Sequence, residues 1–416
     1  MAASPESPAP GGLLGNPLQS PGFLANPYAL YRMLRQTNPV LRLPVPAHAG
    51  AGAFLLLRHA DVQAVLRDPA FSVDRRRADV IRENAERVPL DLIGEAGGLR
   101  SMLIMDPPDH TRVRGLASKA FTPRRVAELR PRIEAIVDEL LAAAAQRGGM
   151  DAIEAFAAPL PAIVIAELLG VPAEDHRRFK QWSSELVSGL GLANPAESLA
   201  RVQRALVPLL DYLRGIIAAR RREPRDDLIS AMIAAQQERD ALTDAELLAT
   251  SNLLLVAGHE TTTNLIGNGL LALLRHPDEL ARLRAEPALL RSAIEELLRF
   301  DSPVQATVRI SAREAELGGQ ALRPGALVVC GIGAANRDPD AFPDPDRLDV
   351  ARGENHHLSF GHGAHFCLGA PLARLEAEVA FAALLERFPK LRLATDDVRW
   401  RANPILRGLA ALPVAC

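Results

Sequence analysis

One cysteine near the end of the chain lies in the segment best suited to chemistry. Cys367 belongs to the run 360–369, Phe-Gly-His-Gly-Ala-His-Phe-Cys-Leu-Gly, in which three of ten residues are glycine. Glycines permit backbone turns that a side chain would block, and they let the main chain approach a flat ligand. A helical pattern follows at once, so we expect its first amides to face the sulfur and lower the thiol pKa. A thiolate held there can ligate a metal or attack an electrophile.

Two other interpretations of this cysteine are open at this point. Cys367 could be a buried structural residue, because free cysteine behaves as a small hydrophobe. It could also belong to a zinc site, since Cys/His tracts bind metals. The histidines available to such a site are His356, His357, His362 and His365. Their spacing matches none of the paired patterns of structural zinc sites.

The overall composition is that of an ordinary globular protein. The 416 residues are 24% charged and 48% hydrophobic, with a net charge of −2. This charge gives no general attraction to nucleic acid or to a membrane surface. No run reaches the roughly 18 uncharged apolar residues of a membrane span. We therefore expect no nucleic-acid or membrane partner, a flexible leader over residues 1–25 without a signal-peptide pattern, and one domain over residues 26–416.

Cysteine usage indicates a reducing compartment. The chain has only Cys330, Cys367 and Cys416, and a small, odd set argues against a disulfide framework. Cys330 lies in an apolar run and is predicted to pack in the core, whereas the terminal Cys416 is predicted to be inert. We expect a cytoplasmic protein.

A second stretch carries two side chains suited to an anion. The run 105–114 contains two prolines that end one element, and Asp109 can begin the next. His110 and Arg114 are four residues apart and therefore share one face of the predicted helix. Two donors on one face can bind an anion together. Taken alone, the pair could equally be two exposed surface groups.

The longest predicted helix starts at a capping box, Thr243 to Glu246, and meets no proline before Pro277. It would contain about 32 residues and span ~48 Å. Its middle contains the run 257–262, Ala-Gly-His-Glu-Thr-Thr, which could also be an ordinary polar turn. Elsewhere, apolar runs predict buried strands at 54–57 and 326–329, and two adjacent glycines predict a hairpin turn at 317–320.

These runs, in this order, resemble the cytochrome P450 family, and the resemblance extends over roughly residues 26–414. The haem-binding loop of that family is matched by five residues, which are Phe360, Gly363, His365, Cys367 and Gly369. The resemblance implies a mainly α fold with small β-sheets, a triangular helical prism with a long central helix. Cys367 would be the proximal ligand of the iron of haem b, a ligation that favours O–O cleavage. Phe360 would shield the sulfur from water, and Gly369 would contact the cofactor.

The resemblance assigns further roles along the chain. The haem propionates would be bound by His110, Arg114, Arg309 and His365. On the central helix, Ala257 would lie against the haem, Thr261 would hydrogen-bond dioxygen, and Glu260 would relay protons from bulk water. Substrate would be contacted by Val304, Gln305, Thr307, Ile405 and Leu406. A structural network would join Glu296, Arg299 and Arg347.

The function implied is that of a monooxygenase. It would insert one oxygen atom of O2 into a C–H bond, by hydroxylation or epoxidation, of a fatty acid, a terpenoid, a macrolide or another apolar or amphipathic molecule. Electrons would come from a ferredoxin and its reductase, with Arg112 and Arg374 as candidate contacts. A peroxide-driven haem enzyme and a non-catalytic haem-binding sensor are the alternatives. The pair Glu260 and Thr261 argues against both, because neither needs a proton relay.

Overall fold

The computed structural model describes residues 20–44, 50–82, 99–189, 195–236 and 242–416. The helices of these ranges are α1 Pro21–Ala25, α2 Pro27–Thr37, α3 His59–Arg67, α4 Asp79–Arg82, α5 Asp109–Ala120, α6 Pro123–Glu128, α7 Arg130–Arg147, α8 Pro159–Leu168, α9 His176–Gly189, α10 Pro195–Arg222, α11 Leu228–Ala235, α12 Asp244–Arg275, α13 Pro277–Ala285, α14 Leu290–Phe300, α15 Ile332–Ala335 and α16 Ala370–Arg387. A single π-helical turn, Ile153–Ala157, precedes α8.

The strands are short and lie in three sheets. They are β1 Val40–Leu43, β2 Ala53–Leu56, β3 Phe71–Ser72, β4 Gly149–Asp151, β5 Ala306–Ser311, β6 Ala315–Leu317, β7 Gln320–Leu322, β8 Leu327–Gly331, β9 Arg392–Leu393 and β10 Pro413–Ala415. The largest sheet has the order β1-β2-β8-β5-β3, with β2 parallel to β8 and the other pairs antiparallel. The predicted buried strands and the hairpin between β6 and β7 are confirmed.

The helix α12 is the axis of the molecule. Its 32 residues begin at the predicted capping box, in which Thr243 accepts from the Glu246 amide and the Glu246 side chain accepts from the Thr243 amide. At 1.5 Å per residue the helix spans ~48 Å. It packs against α8, α9, α10, α14 and α16 and is buried along most of its length. The main apolar core is therefore built around it.

A second apolar cluster covers one face of the five-stranded sheet. It contains Cys330 on β8, which is fully buried, so the predicted packing role of this cysteine is confirmed. Burial raises the pKa of its thiol to about 12. Within the described ranges, no helix is both long enough and apolar enough to span a bilayer.

The last five residues of the predicted leader form a short helix. Residues 21–25 form α1, Phe23 is buried, and the guanidinium of Arg407 donates to the carbonyl oxygen of Ala25 at 3.2 Å. Arg407, near the C-terminus, therefore holds the last residues of the predicted leader, and the domain boundary at residue 25 stays a prediction. Residues 1–19, the rest of the predicted leader, lie outside the described ranges.

A buried ionic network holds the irregular segment that precedes α16. Arg299 is fully buried, and its guanidinium donates to both carboxylate oxygens of Glu296 at 2.7 and 2.8 Å. It also donates to the carbonyl oxygens of Asn336, Pro345 and Arg347. The pair on α14, predicted from its spacing, therefore binds backbone that lacks a regular hydrogen-bond ladder.

The third charged member of this network is Arg352, so the prediction for Arg347 is wrong. Arg352 Nε donates to Glu296 at 3.0 Å, and its side chain is 10% exposed. The side chain of Arg347 is 61% exposed and pairs with Asp349 at 3.5 Å. Arg347 contributes its carbonyl oxygen alone to Arg299 because its side chain points outward.

Replacing the buried carboxylate should destabilise the fold strongly. Glu296→Gln leaves the charge of Arg299 buried without its anion, which costs about 3–5 kcal/mol of unfolding free energy. Arg352→Met should cost about 1–3 kcal/mol through a lost buried hydrogen bond, whereas Arg347→Met should stay within about 0.5 kcal/mol. Urea unfolding followed by circular dichroism measures all three. A larger loss for Arg347→Met than for Arg352→Met would refute the assignment.

Candidate functional site

Cys367 lies in a tight loop at the start of α16. Its backbone N–H donates to the carbonyl oxygen of Phe360 at 2.8 Å and closes the loop. Gly361 and Gly363 have φ angles of 72° and 74°, a conformation that glycine adopts without strain. A Cβ atom at Gly363 would also lie 2.8 Å from the carbonyl oxygen of Leu66. The predicted dependence of this turn on glycine is confirmed.

The backbone amides of Gly369 and Ala370, at the start of α16, act on the Cys367 sulfur and lower the pKa of its thiol. Burial raises the pKa of the thiol, and this effect outweighs the amides and the charges of Arg114 and Arg374, which lower it. The orientation of the amides is as predicted, whereas the predicted net fall in pKa is wrong because the loop also desolvates the sulfur. The residue is nevertheless exposed on one side. A metal cation bonded there would make the thiolate the stable form.

Four side chains that can carry positive charge gather beside the loop. They are His110 and Arg114 on α5, Arg309 on β5 and His365 in the loop. The ring centroids of His110 and His365 lie 3.9 Å apart, and Arg114 donates to the carbonyl oxygen of Phe366 at 2.6 Å. Burial, followed by the charges of the other three groups, lowers the pKa of His365 to about 3. Groups that repel one another in this way are arranged for an anion.

The middle of α12 has one open face. Four positions at helical spacing are not buried, namely Leu254, Ala257, Gly258 and Thr261. Ala257 is exposed, whereas Val256 and His259, on other faces of the same turn, are buried. The Thr261 hydroxyl donates to the carbonyl oxygen of Ala257 at 2.9 Å. Because α12 packs against α16, this face and the cysteine loop belong to neighbouring helices.

The carboxylate of Glu260 faces a different direction from Thr261. Glu260 is 4% exposed and forms an ion pair with Arg401, and His259 Nε2 lies 3.8 Å from its Oε2. In the described part of the chain, Glu260 and Thr261 share no hydrogen bond. The predicted proton relay therefore does not include a direct hydrogen bond between Glu260 and Thr261. Sequence analysis missed Arg401, which lies 141 positions away in a loop without periodicity.

Comparison with known proteins decides the family. A family model for cytochrome P450 matches residues 5–399. The chain is 49% identical over 402 residues to Cytochrome P450 107B1 of Saccharopolyspora erythraea. This alignment covers 94% of this chain and 95% of that protein. The chain belongs to the cytochrome P450 family. The 6-deoxyerythronolide B hydroxylase of the same organism is 42% identical over 404 residues, with 95% and 98% covered.

Solved structures support the same conclusion. The crystal structure of the myxobacterial cytochrome P450 CYP267B1 in complex with myristic acid matches with a TM-score of 0.87 and 43% identity, covering 96% of this chain and 98% of that one. The predicted P450 fold, mainly α with small sheets, is confirmed. This P450 is a monooxygenase with a haem cofactor, and P450s of this kind take electrons from redox partners and act on small molecules.

The residues of this P450 fit a haem. Nε2 of His110 is buried and has no hydrogen-bond partner among the described residues. Arg309 is 6% exposed and uses its guanidinium on the carbonyl oxygen of the preceding Val308 alone. Both groups thus retain donor capacity that propionate carboxylates can use. The sulfur of Cys367, with two amide donors and one exposed side, retains a position for a metal.

Four of the five predicted substrate contacts lie near one another. Val304 forms an isolated antiparallel bridge with Leu406, and Thr307 follows on β5 on the same face as Arg309. Ile405, at the tip of the C-terminal loop, is 41% exposed. These side chains are mostly apolar and not buried in the core, as a wall for an apolar guest requires.

Gln305 differs from the other four, and its role as a substrate contact stays a prediction. Its side chain is 2% exposed. Nε2 donates to the carbonyl oxygen of Ser302 at 2.8 Å and to the hydroxyl of Tyr28 at 3.3 Å. Gln305 lies just before β5 begins, so the regular alternation of the strand does not apply to it.

The predicted contacts with a redox partner are already paired within the chain. Arg112 donates to Glu246 at 3.1 Å and also bonds its second carboxylate oxygen. Arg374 binds both oxygens of Glu295 at 2.6 and 2.7 Å. Burial would raise the pKa of Glu295, but hydrogen bonds from Arg374 and His357 outweigh burial and lower it to about 2. The side chains of Arg112 and Arg374 remain 28% and 37% exposed.

The zinc interpretation of the cysteine loop is not supported. Over the described ranges, no group of three or more His, Cys, Asp or Glu side chains is arranged to hold a metal ion. The rings of His357 and His365 have separate partners, since His357 bonds Glu295 at 3.0 Å and His365 stacks on His110. Cys367 as the ligand of the haem iron stays a prediction.

A contact that sequence analysis missed joins α9 to α12 in this P450. Ser183 Oγ lies 2.9 Å from His259 Nδ1, and both side chains are buried. Burial lowers the pKa of His259 to about 4, so the imidazole is neutral at pH 7. No pattern could indicate this pair, because its members are 76 positions apart.

Titration of His259 should make the stability of this P450 depend on pH. The contribution of the neutral imidazole is complete above its ordinary pKa of 6.5 and is lost as the pH falls towards 4, because the unfolded chain binds the proton first. His259→Gln keeps a hydrogen-bonding group but cannot titrate. In this window the slope of its unfolding free energy against pH should be smaller than in the wild type. At most one proton is involved, so the slope can fall by up to about 1.4 kcal/mol per pH unit. Urea unfolding at a series of pH values measures the slope.

Ser183→Ala is the matched control for this experiment. It removes the hydrogen bond without removing a titrating group, so it should lower stability by about 1 kcal/mol and leave the pH slope near that of the wild type. Parallel slopes for wild type and His259→Gln would show that the imidazole is not held neutral.

Proposed function

We propose that this P450 is a haem-thiolate monooxygenase whose proximal ligand is Cys367 and whose cofactor is haem b. The observation that carries the proposal is the geometry at the sulfur. Two backbone amides, from Gly369 and Ala370, point at it from the start of α16 while one side stays exposed. Amides of this kind stabilise negative charge on a thiolate and tune its electron donation to iron.

The propionates of haem b are bound by the four groups beside the loop. His110, Arg114, Arg309 and His365 supply the donors, and burial lowers the pKa of each of them. Two carboxylates placed among them neutralise this repulsion. Phe360, whose ring lies under the guanidinium of Arg374 at 4.5 Å, packs as an apolar support for the loop.

The bound haem supplies the activation of O2 and the transfer of one oxygen atom to carbon. The overall change uses substrate, O2, two electrons and two protons, and it yields the hydroxylated or epoxidised product and water. The chain has to deliver the protons. Thr261 offers the only hydroxyl on the open face of α12 described above, and Glu260, one residue before it, is the acid that receives protons from solvent.

The substrate proposed is an apolar or amphipathic molecule such as a fatty acid or a polyketide-derived ring. Support comes from the wall of Val304, Ile405 and Leu406 beside the polar Thr307. It also comes from two relatives, one named as the 6-deoxyerythronolide B hydroxylase and one solved in complex with myristic acid. Spectral titration of the ferric protein with these two compounds tests the two classes.

The electron donor proposed is a cytoplasmic ferredoxin that receives its electrons from a ferredoxin reductase. The three cysteines are all free, as expected in a reducing compartment. Arg374 acts on the Cys367 thiol through its charge, and Arg112 lies two residues before Arg114, which bonds Phe366 of the loop. Each is partly exposed although paired. Carboxylates of an acidic ferredoxin can compete for these arginines. Turnover with peroxide far above turnover with ferredoxin, reductase and NAD(P)H would reverse this assignment in favour of a peroxide-driven enzyme.

Removal of the sulfur should abolish the spectral signature of thiolate ligation. Cys367→Ser should retain the fold but lose the red-shifted band that reduced haem-thiolate proteins give under carbon monoxide, because an alcohol does not donate electrons to iron as a thiolate does. Wild-type protein and Cys416→Ser should both show the band. A retained band in Cys367→Ser, or its absence in the wild type after haem supplementation, would refute the proposed ligand.

Removal of the Thr261 hydroxyl should separate electron use from product formation. Thr261→Ala should lower product formed per NAD(P)H roughly tenfold, since general acid catalysis contributes at least this much. Thr262→Ala is the matched control, because its hydroxyl donates to the carbonyl oxygen of Gly258 at 3.0 Å and its side chain is buried. Product and NAD(P)H are quantified in the same assay. An unchanged ratio in Thr261→Ala would count against Thr261 as part of the relay, whereas absence of product from the wild type would favour the non-catalytic sensor.

A further inference from the structure

The apolar part of the proposed substrate wall lies on one short pair of extended segments. Segment 303–305 pairs with segment 405–407 through two backbone hydrogen bonds of 2.8 Å, donated by the amides of Gln305 and Arg407. These bonds flank the isolated bridge described above. Two strands paired in isolation are only marginally stable in water. The position of the wall therefore depends on the groups to which its two segments are attached.

The guanidinium of Arg407 attaches one of these segments to two helices. Its Nε donates to Asp301 Oδ1 at 2.6 Å, and Asp301 is the residue that ends α14. The same guanidinium donates to the carbonyl oxygens of Leu24 and Ala25 in α1, and it lies 3.4 Å from the centre of the Trp400 ring. Because α14 carries the buried ionic network described above, this arginine holds the C-terminal loop against a well-fixed helix.

The hydroxyl of Tyr28 on α2 links the same aspartate to the other segment. It donates to Asp301 Oδ1 at 2.6 Å and accepts from Gln305 Nε2 at 3.3 Å. Tyr28 is buried, and this burial, followed by the charge of Asp301, raises the pKa of its hydroxyl. The hydroxyl therefore keeps its proton and donates it to the carboxylate. One oxygen of Asp301 thus joins α2, the end of α14 and the C-terminal loop.

The anchoring side chains are buried away from the surface that a guest would meet. Gln305 and Arg407 are buried, whereas their chain neighbours Val304 and Leu406 are half-buried and Ile405 is exposed. Hydrogen bonds to a charged group are the strong ones in proteins, so displacing the wall requires breaking them. A displacement of about 1 Å is enough to change which substrate atom is in reach of the reacting centre.

We propose that Tyr28, Asp301 and Arg407 are positioning residues, which hold the apolar wall in one place and so determine how tightly a guest binds and which of its carbons is oxidised. The inference deepens the proposed function and rests on it, because that function assigns the wall to the substrate. The three side chains act through the backbone of segments 303–305 and 405–407. The N-terminal helix α2 thereby takes part in substrate selection, although Tyr28 lies 273 positions before Asp301.

The test removes the hydroxyl at the centre of this arrangement. Tyr28→Phe keeps the ring but loses the donor to Asp301 and the acceptor for Gln305. Tyr31→Phe is the matched control, because it makes the same change one turn later on α2, at a ring-centroid distance of 6.2 Å from Tyr28. Among the described residues, the Tyr31 hydroxyl is not a partner of Asp301 or Gln305. Arg407→Lys keeps the charge but lacks the planar fork that reaches both helices.

Hydrogen–deuterium exchange of the haem-loaded proteins gives a readout that needs no substrate. The amides of Gln305 and Arg407 should exchange about tenfold faster in Tyr28→Phe, as expected for loss of a hydrogen bond to a charged group. Arg407→Lys should act in the same direction, and Tyr31→Phe should match the wild type. Amides in the middle of α12 should keep their wild-type rates in all three variants. Unchanged rates at the wall, or equal acceleration over the whole chain, would overturn the positioning role.

Spectral titration with myristic acid and with 6-deoxyerythronolide B measures the effect on binding. For the compound that the wild type binds, Tyr28→Phe should raise the Kd about tenfold, since a change of one methylene in an apolar pocket is worth at least this much. The product should also carry oxygen at a broader set of positions, while the band under carbon monoxide stays that of the wild type. An unchanged Kd and product pattern would overturn the role in substrate selection.

Failure of the proposed function gives a different result. Wild-type protein that binds neither compound, or that lacks the band under carbon monoxide, would count against the proposed substrate classes or the proposed ligand. The exchange rates at Gln305 and Arg407 would still decide whether Tyr28 holds the wall.

Discussion

The site depends on the entry of the chain into α16. Two amides at the start of this helix reach the sulfur of Cys367 only if the loop before it has one conformation, which positive φ angles at Gly361 and Gly363 allow. The long irregular segment that leads to the loop has no ladder of backbone hydrogen bonds to hold it. Arg299 supplies that constraint through three carbonyl oxygens, and Glu296 pairs with this arginine and orients it away from solvent. A buried ion pair with no chemical role is thus a condition for the chemistry at the sulfur.

Electrostatics around the loop favour the loaded state over the empty one. Burial lowers the pKa of His110, Arg114, Arg309 and His365 alike, which means that each charge is disfavoured in the protein without an anion. Burial also disfavours the charged form of Cys367, because it raises the pKa of the thiol. The propionates and the iron of the proposed haem would supply the missing partners of both kinds. Binding energy of the cofactor is therefore also folding energy of this region.

Local spacing predicted the parts of the molecule that local interactions determine. The capping box at Thr243, the length of α12, the glycine hairpin and the pair of Glu296 with Arg299 are all set within a few residues, and the structure has each of them. The family resemblance added the fold. Neither the local spacing nor the family resemblance predicted the contacts between distant segments. Arg352 rather than Arg347 completes the network, and Gln305 turns towards Tyr28. The sign of the Cys367 pKa was also missed, because desolvation depends on the whole surrounding fold.

The C-terminal loop combines two requirements that act on different residues. Its tip, Ile405 and Leu406, lies beside Val304 and belongs to the wall proposed to meet substrate. Its base carries Arg401, which holds Glu260, and Gly408, whose missing side chain makes room for Asn264. Loop tips tolerate change because few contacts depend on them, whereas a side chain at the base would displace a buried amide. Substrate preference can therefore vary at the tip, while the base keeps Arg401 paired with the buried carboxylate of Glu260 on the central helix.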